Sequence, residues 1–249
     1  FPENQEEYLM RRLWVEIANE AFRRQSYQQV LAGASASFAN ASSGISIRLR
    51  SYSDGIAPLA EELMDILFVR AYTKELFIQV QSKEIRRLEN LSRKRPYQQG
   101  NNALYDIIRK ERVVPAQATK FYKNLSFETF MKQIQRRRVQ GYLRFFDYGN
   151  LSEEESKILW DRLRARIEVQ PSPKPEPSHL LIPTKNEELF VPIEHNDSVF
   201  IRQYLSDKPD MSTQAKYLLL SHLLRAPFFT ELRTKQQLGY IVYCSYTRV

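Results

Sequence analysis

Cysteine occurs once in these 249 residues, as Cys244, so no internal disulfide can form and the fold must be held by packing and hydrogen bonds. That usage suits a reducing compartment such as the cytoplasm and leaves localisation open. The seven glycines make neither G-x-G-x-x-G nor G-x-x-x-x-G-K, which removes the phosphate-cradling loops of common nucleotide-binding folds. No run reaches the roughly 18 apolar residues that a membrane span needs, and no charged-then-apolar leader opens the chain. Histidine is scarce too. His179, His195 and His222 are followed by Leu-Leu-Ile, Asn-Asp-Ser and Leu-Leu-Arg, so none begins H-x-x-E-H or H-E-x-x-H. A hydrolytic zinc site takes about three protein ligands, two of them close together on a helix, and no such set is expected here. No G-x-S-x-G elbow occurs, and Cys244 has no nearby histidine to activate it.

Core-forming residues are plentiful. With 43% hydrophobic residues the chain can build one large domain or two ordinary ones. It starts at Phe1 and stops at Val249 soon after a strand signal, which predicts a piece of something longer. Charge is uneven: from Lys83 to Gln140 fifteen Lys or Arg stand against five Asp or Glu, more than the whole chain's net +8. Arg93-Lys94-Arg95 and Arg136-Arg137-Arg138 read first as solvated helix faces, and second as attractors of acidic partners.

Periodicity orders the chain. Leu9, Leu13, Ile17 and Phe22 predict a helix over the first ~28 residues. Ala34, Ala36 and Phe38, then Ile45, Ile47 and Leu49, predict a hairpin turning through 40–44. Helices follow from Ile56 to about Arg112, broken at Pro96, and another runs from Phe127 to Arg138. A strand over 142–148 ends at Gly149-Asn150, and Ser152 with Glu155 forms a capping box for a helix carrying Leu159, Leu163 and Ile167. Four alternating prolines in 170–179 predict an extended linker. Beyond it, strands are expected at 180–182, 189–191 and 198–204, then a helix from Ser212 to Arg225 ended by Pro227, then a strand from Tyr240 after a break at Gly239. The expected class is α+β, two modules with mainly antiparallel sheets covered by helices on one face: 1–169, the linker 170–179, and 180–249.

The string Leu232-Arg233-Thr234-Lys235-Gln236-Gln237-Leu238-Gly239-Tyr240-Ile241-Val242 closely resembles the C-terminal half of the insulysin-like zinc metallopeptidases, the inverted-motif peptidases of family M16. Glu20-Ala21-Phe22, then Gln29 to Ala34, then Gly44 to Tyr52 resemble the family's third domain, as do Arg87-Leu88-Glu89-Asn90 with Arg93 and Pro96, and Gly149-Asn150-Leu151. The resemblance implies a mitochondrial-processing-peptidase-like metallopeptidase fold, with the third domain nearly whole and the fourth incomplete. It implies the noncatalytic C-terminal portion of a zinc metalloendopeptidase that degrades peptides in an enclosed chamber.

Zinc, its H-x-x-E-H ligands and the general-base glutamate then lie in the first domain, outside this chain, which should be inactive alone. Arg233 and Tyr240 take the catalytic role of contacting the substrate backbone and polarising the scissile carbonyl. The implied partners are the N-terminal catalytic half of the same protein and peptide substrates, with a homodimer allowed; neither nucleic acid nor membrane is implied. The positive segment would favour acidic peptides. Two alternatives stand beside this reading. One is an inactive peptide-binding or regulatory homologue, told apart by an upstream sequence without H-x-x-E-H. The other is a basic nucleic-acid-binding module, which lacks interleaved aromatics and any helix-turn-helix or zinc-finger spacing.

Overall fold

The computed structural model describes residues 5–41, 44–108, 114–138, 140–167, 170–173, 188–193, 195–206 and 210–247. Its first helix, α1 (Gln5–Gln25), buries Leu9, Leu13, Ile17 and Phe22 on one stripe, as their spacing predicts. The expected single helix is interrupted at Ser26, whose buried hydroxyl has no hydrogen-bond partner among the described residues, and a short α2 (Tyr27–Leu31) follows. Gly33, at φ 90°, then turns the chain into the hairpin.

Strands β1 (Ser35–Ala41) and β2 (Gly44–Arg50) pair antiparallel from Ser35 opposite Arg50 to Ala41 opposite Gly44. The turn is thus shorter than the predicted 40–44. Phe38 points into the core, and Asn19 of α1 ties it there: the Phe38 N–H donates to Asn19 Oδ1 at 2.9 Å and Asn19 Nδ2 donates to the Phe38 carbonyl at 2.8 Å. A single amide side chain therefore satisfies both backbone groups of a buried strand residue.

Helix α3 (Ser53–Met64) widens into a π turn over Asp65–Val69. The carbonyls this end releases are taken by side chains: Tyr72 Oη donates to Ile66 O at 2.8 Å, and Arg138 donates to Leu67 O at 2.8 Å and Arg70 O at 2.9 Å. Helix α4 (Lys74–Glu89) starts under a Thr73 cap and ends in a 3₁₀ turn at Asn90–Arg93. Pro96 does not break a helix but begins α5 (Pro96–Ile108), where its missing N–H costs nothing. A helix without a predicted counterpart, α6 (Pro115–Asn124), also starts on a proline, and α7 (Phe127–Arg138) has the predicted bounds.

The core of this unit lies where α1, α3, α4, α6 and α7 converge, with Leu13, Ile17, Leu63, Ile66, Tyr122, Phe130 and Ile134 buried. Phe77 of α4 packs its ring 5.6 Å from Phe127 and 5.1 Å from Phe130. Tyr122 Oη donates to the Leu9 carbonyl at 3.0 Å, and burial holds that phenol in its neutral form.

Helix α8 (Glu153–Ala165) carries the predicted capping box, Ser152 Oγ accepting from Glu155 N and Glu155 returning to Ser152 N. Its Leu159 and Leu163 pack with Ala60 and Met64 of α3, and Trp160 stacks on Phe145 at 5.5 Å. Over the strand expected at 142–148, Leu143 and Phe145 are half-buried between exposed neighbours, but the segment joins no ladder among the described residues. Just before it, β3 (Gln140–Gly141) pairs in parallel with β4 (Gln170–Pro171). Most of the proline-rich segment, and the strand expected at 180–182, lie outside the described residues.

Two compact units result, one of residues 1–179 with 191–199 and one of 180–190 with 200–249. In the second, α9 (Met211–Phe229) starts under Asp210, whose carboxylate accepts from the Thr213 N–H and hydroxyl. It does not end at Pro227: the helix runs through that residue to Phe229 and widens into a second π turn, Thr230–Lys235. The segments expected as strands at 189–191, 198–204 and from Tyr240 enter no ladder among the described residues. Alternate residues from Ile201 to Ser206, and from Ile241 to Thr247, are nonetheless half-buried and exposed in turn, the period of a strand.

Candidate functional site

Arg233 sits in the π turn that extends α9, and Tyr240 follows seven residues later. Seven extended residues would hold their Cα atoms roughly 23 Å apart. The chain folds back instead, and the Arg233 Cζ lies 5.5 Å from the centre of the Tyr240 ring. The guanidinium thus rests on an aromatic face, an attraction of about 0.5–1 kcal/mol at an exposed site.

The fold-back is built from a few bonds. Gln236 N donates to Glu231 O at 3.0 Å, Leu238 N donates to Leu232 O at 3.0 Å, and Gln237 between them is left-handed at φ 53°. The break therefore falls at Gln236–Gln237, not at the predicted Gly239, which has ordinary backbone and room for a Cβ.

Both end groups remain available. The nearest acid in sequence, Glu231, is already engaged: Lys235 Nζ reaches it at 2.9 Å and Gln236 Nε2 at 3.2 Å, and these donors hold its carboxyl below the usual carboxylate range. Arg233 has no ion pair among the described residues, and Tyr240 is 85% exposed. A guanidinium fork and a phenol hydroxyl, presented together, suit a carbonyl or carboxylate oxygen.

The other polar groups named from sequence are not drawn into this arrangement. Cys244 is free and half-buried. His222 is exposed on α9, His195 accepts from the Asp197 N–H at 2.9 Å, and His179 lies outside the described residues. Among the described residues no three His, Cys, Asp or Glu side chains are grouped to hold a metal ion. The described residues therefore offer no donor set of the kind that zinc takes.

Comparison with known proteins places the chain. Residues 1–120 match the model of the middle or third domain of peptidase M16, and residues 219–249 match that of the C-terminal lobe domain 4 of proteins like the PQQ synthase PqqF. The A-factor-processing enzyme of Saccharomyces cerevisiae is 25% identical over 243 residues, 94% of this chain and 24% of that protein. The insulin-degrading enzyme of Drosophila melanogaster is 22% identical over 247 residues, 95% of this chain and 25% of that protein. The crystal structure of pitrilysin shares the fold, with a TM-score of 0.71 at 16% identity over 99% of this chain and 26% of that one. The chain spans about a quarter of the length of the curated relatives it matches.

Proposed function

This chain is an insulysin-like M16 peptidase segment, and we propose that within its parent protein it forms noncatalytic chamber wall and supplies Arg233 and Tyr240 as donors to the peptide being cleaved. One observation carries this reading: the fold-back that sets the Arg233 guanidinium 5.5 Å from the Tyr240 ring while no acid among the described residues pairs with it. When a peptide carbonyl is attacked, negative charge develops on its oxygen. Donors already fixed there stabilise that charge more than they stabilise the ground state.

The attacking group and zinc belong to the N-terminal catalytic half of the parent, so this segment alone hydrolyses nothing. The extent 1–169, the linker 170–179 and the opening of a further module at 180 are the divisions proposed for that assembly.

The test uses the intact parent protein. Arg233→Ala or Tyr240→Phe should each lower kcat/KM on a fluorogenic peptide by roughly 100-fold, the usual cost of one oxyanion donor. Zinc content, measured by atomic absorption, should stay at the parental level. Parental turnover in both variants would remove Arg233 and Tyr240 from the reaction.

A further inference from the structure

Gln237 is the one residue other than glycine with a left-handed backbone among the described residues, at φ 53°. An L side chain in that region crowds the following carbonyl, and helix ends usually place glycine or asparagine there. A glycine is at hand two positions on, yet Gly239 carries no such conformation and a Cβ on it would meet nothing within 4 Å. The conformation is imposed by the bonds on either side, Gln236 N to Glu231 O and Leu238 N to Leu232 O, both 3.0 Å. Together they close the π turn and reverse the chain between Arg233 and Tyr240. Sparsely populated backbone held this way is found where a site needs fixed geometry.

We propose that Gln237 is a positioning residue: its left-handed backbone, not its amide side chain, sets the separation and mutual orientation of the Arg233 and Tyr240 donors. This rests on the reading that those two groups meet a substrate carbonyl. Replacing Gln237 with a residue that prefers extended backbone would let 236–240 straighten, carry the Tyr240 ring off the guanidinium, and leave each donor present but apart. A misplacement of about 1 Å can cost on the order of 100-fold in rate, so the loss should appear in kcat, not in KM.

The experiment compares Gln237→Gly, Gln237→Asn, Gln237→Ala and Gln237→Val in the intact parent protein, recording kcat, KM and Tm with one fluorogenic peptide. Gly and Asn accept the left-handed region, Ala resists it, and β-branched Val resists it most. The expected order of kcat is parental, Gly and Asn within about threefold of one another, then Ala, then Val at least tenfold lower, with KM within about twofold throughout. Ala keeps the series readable if Val lowers Tm. Parental kcat in Ala and Val overturns the proposal, and so does an equal loss in Gly, Asn and Ala, which would assign the role to the amide. If Arg233→Ala and Tyr240→Phe are silent, the site reading fails; if they lower turnover while the Gln237 order is absent, only the positioning role falls.

Discussion

Glu84 lies 2% exposed on α4, yet it is a carboxylate in an apolar unit. Its Oε2 accepts from Arg12 Nε at 2.9 Å and from Arg87 Nε at 3.0 Å, so one buried charge is shared by two guanidiniums that reach solvent. Burial opposes the charge on Arg12, and Glu84 outweighs it, leaving that guanidinium's pKa raised. Glu84→Gln keeps the volume and removes the charge. The expected cost is about 1–3 kcal/mol, at the low end because both arginines can rehydrate. A urea midpoint that falls with an unchanged slope would show it; an unshifted midpoint would mean the cluster contributes nothing net. No period or motif announced this cluster, because Arg12 and Glu84 are 72 residues apart and meet only when α1 packs on α4. Arg233 and Tyr240 were legible as residues of a motif. Gln237 was not, since glutamine carries no turn signal and Gly239 drew the break to itself.

Elements with a strong internal signal were read well from sequence, and those that depend on partners were not. The capping box of α8 and the stripe of α1 are local patterns, and both appear as expected. Helix α6 is short and its apolar positions are few, so only Pro115 at its start marked it. Helix α3 meets α8 through a charged clasp: Arg166 reaches Asp65 at 2.8 Å and Glu61 at 3.0 Å, and Arg162 also pairs with Glu61. The hydrogen bond from Arg166 lowers the Asp65 pKa, so the folded state holds the charged form more firmly than the unfolded chain, which titrates near about 4. Stability from this pair is therefore full above that value and is lost as pH falls through the depressed folded pKa. Asp65→Asn should flatten the stability profile below about pH 4 relative to the parental chain. Denaturant midpoints measured across that range decide it, and identical profiles would exclude Asp65 as a contributor. Asp65 and Arg166 are partly exposed, so the difference should also shrink in high salt.

At the scale of the whole chain the two units differ in how they are held. The first buries a core from five helices, with residues such as Leu13, Ile17, Leu63, Phe130 and Ile134 at no exposure. The second is organised around α9, a nineteen-residue helix with no buried side chain, on which Leu219, Leu220, Leu223 and Leu224 are all exposed. Polar residues from Ser212 to Arg225 are scattered among its leucines, and the stripe of Tyr217, Leu220 and Leu224 that its spacing predicts is exposed, not buried. Most helical stability in proteins comes from burying an apolar face, and a helix that buries none is left with its propensity and its Asp210 cap. Hydrogen exchange on this 249-residue chain should separate the two. Amides of α1 and α4 open only with their unit and should exchange near the global limit, whereas those of α9 should exchange at least about 100-fold faster. Equal protection in α9 and α1 would show that α9 gains stability from burial. Leu223→Ala offers a second reading of the same point: the side chain is 64% exposed, so truncation should move the Tm by less than about 2 °C, against the large loss that Ile17→Ala would bring to α1.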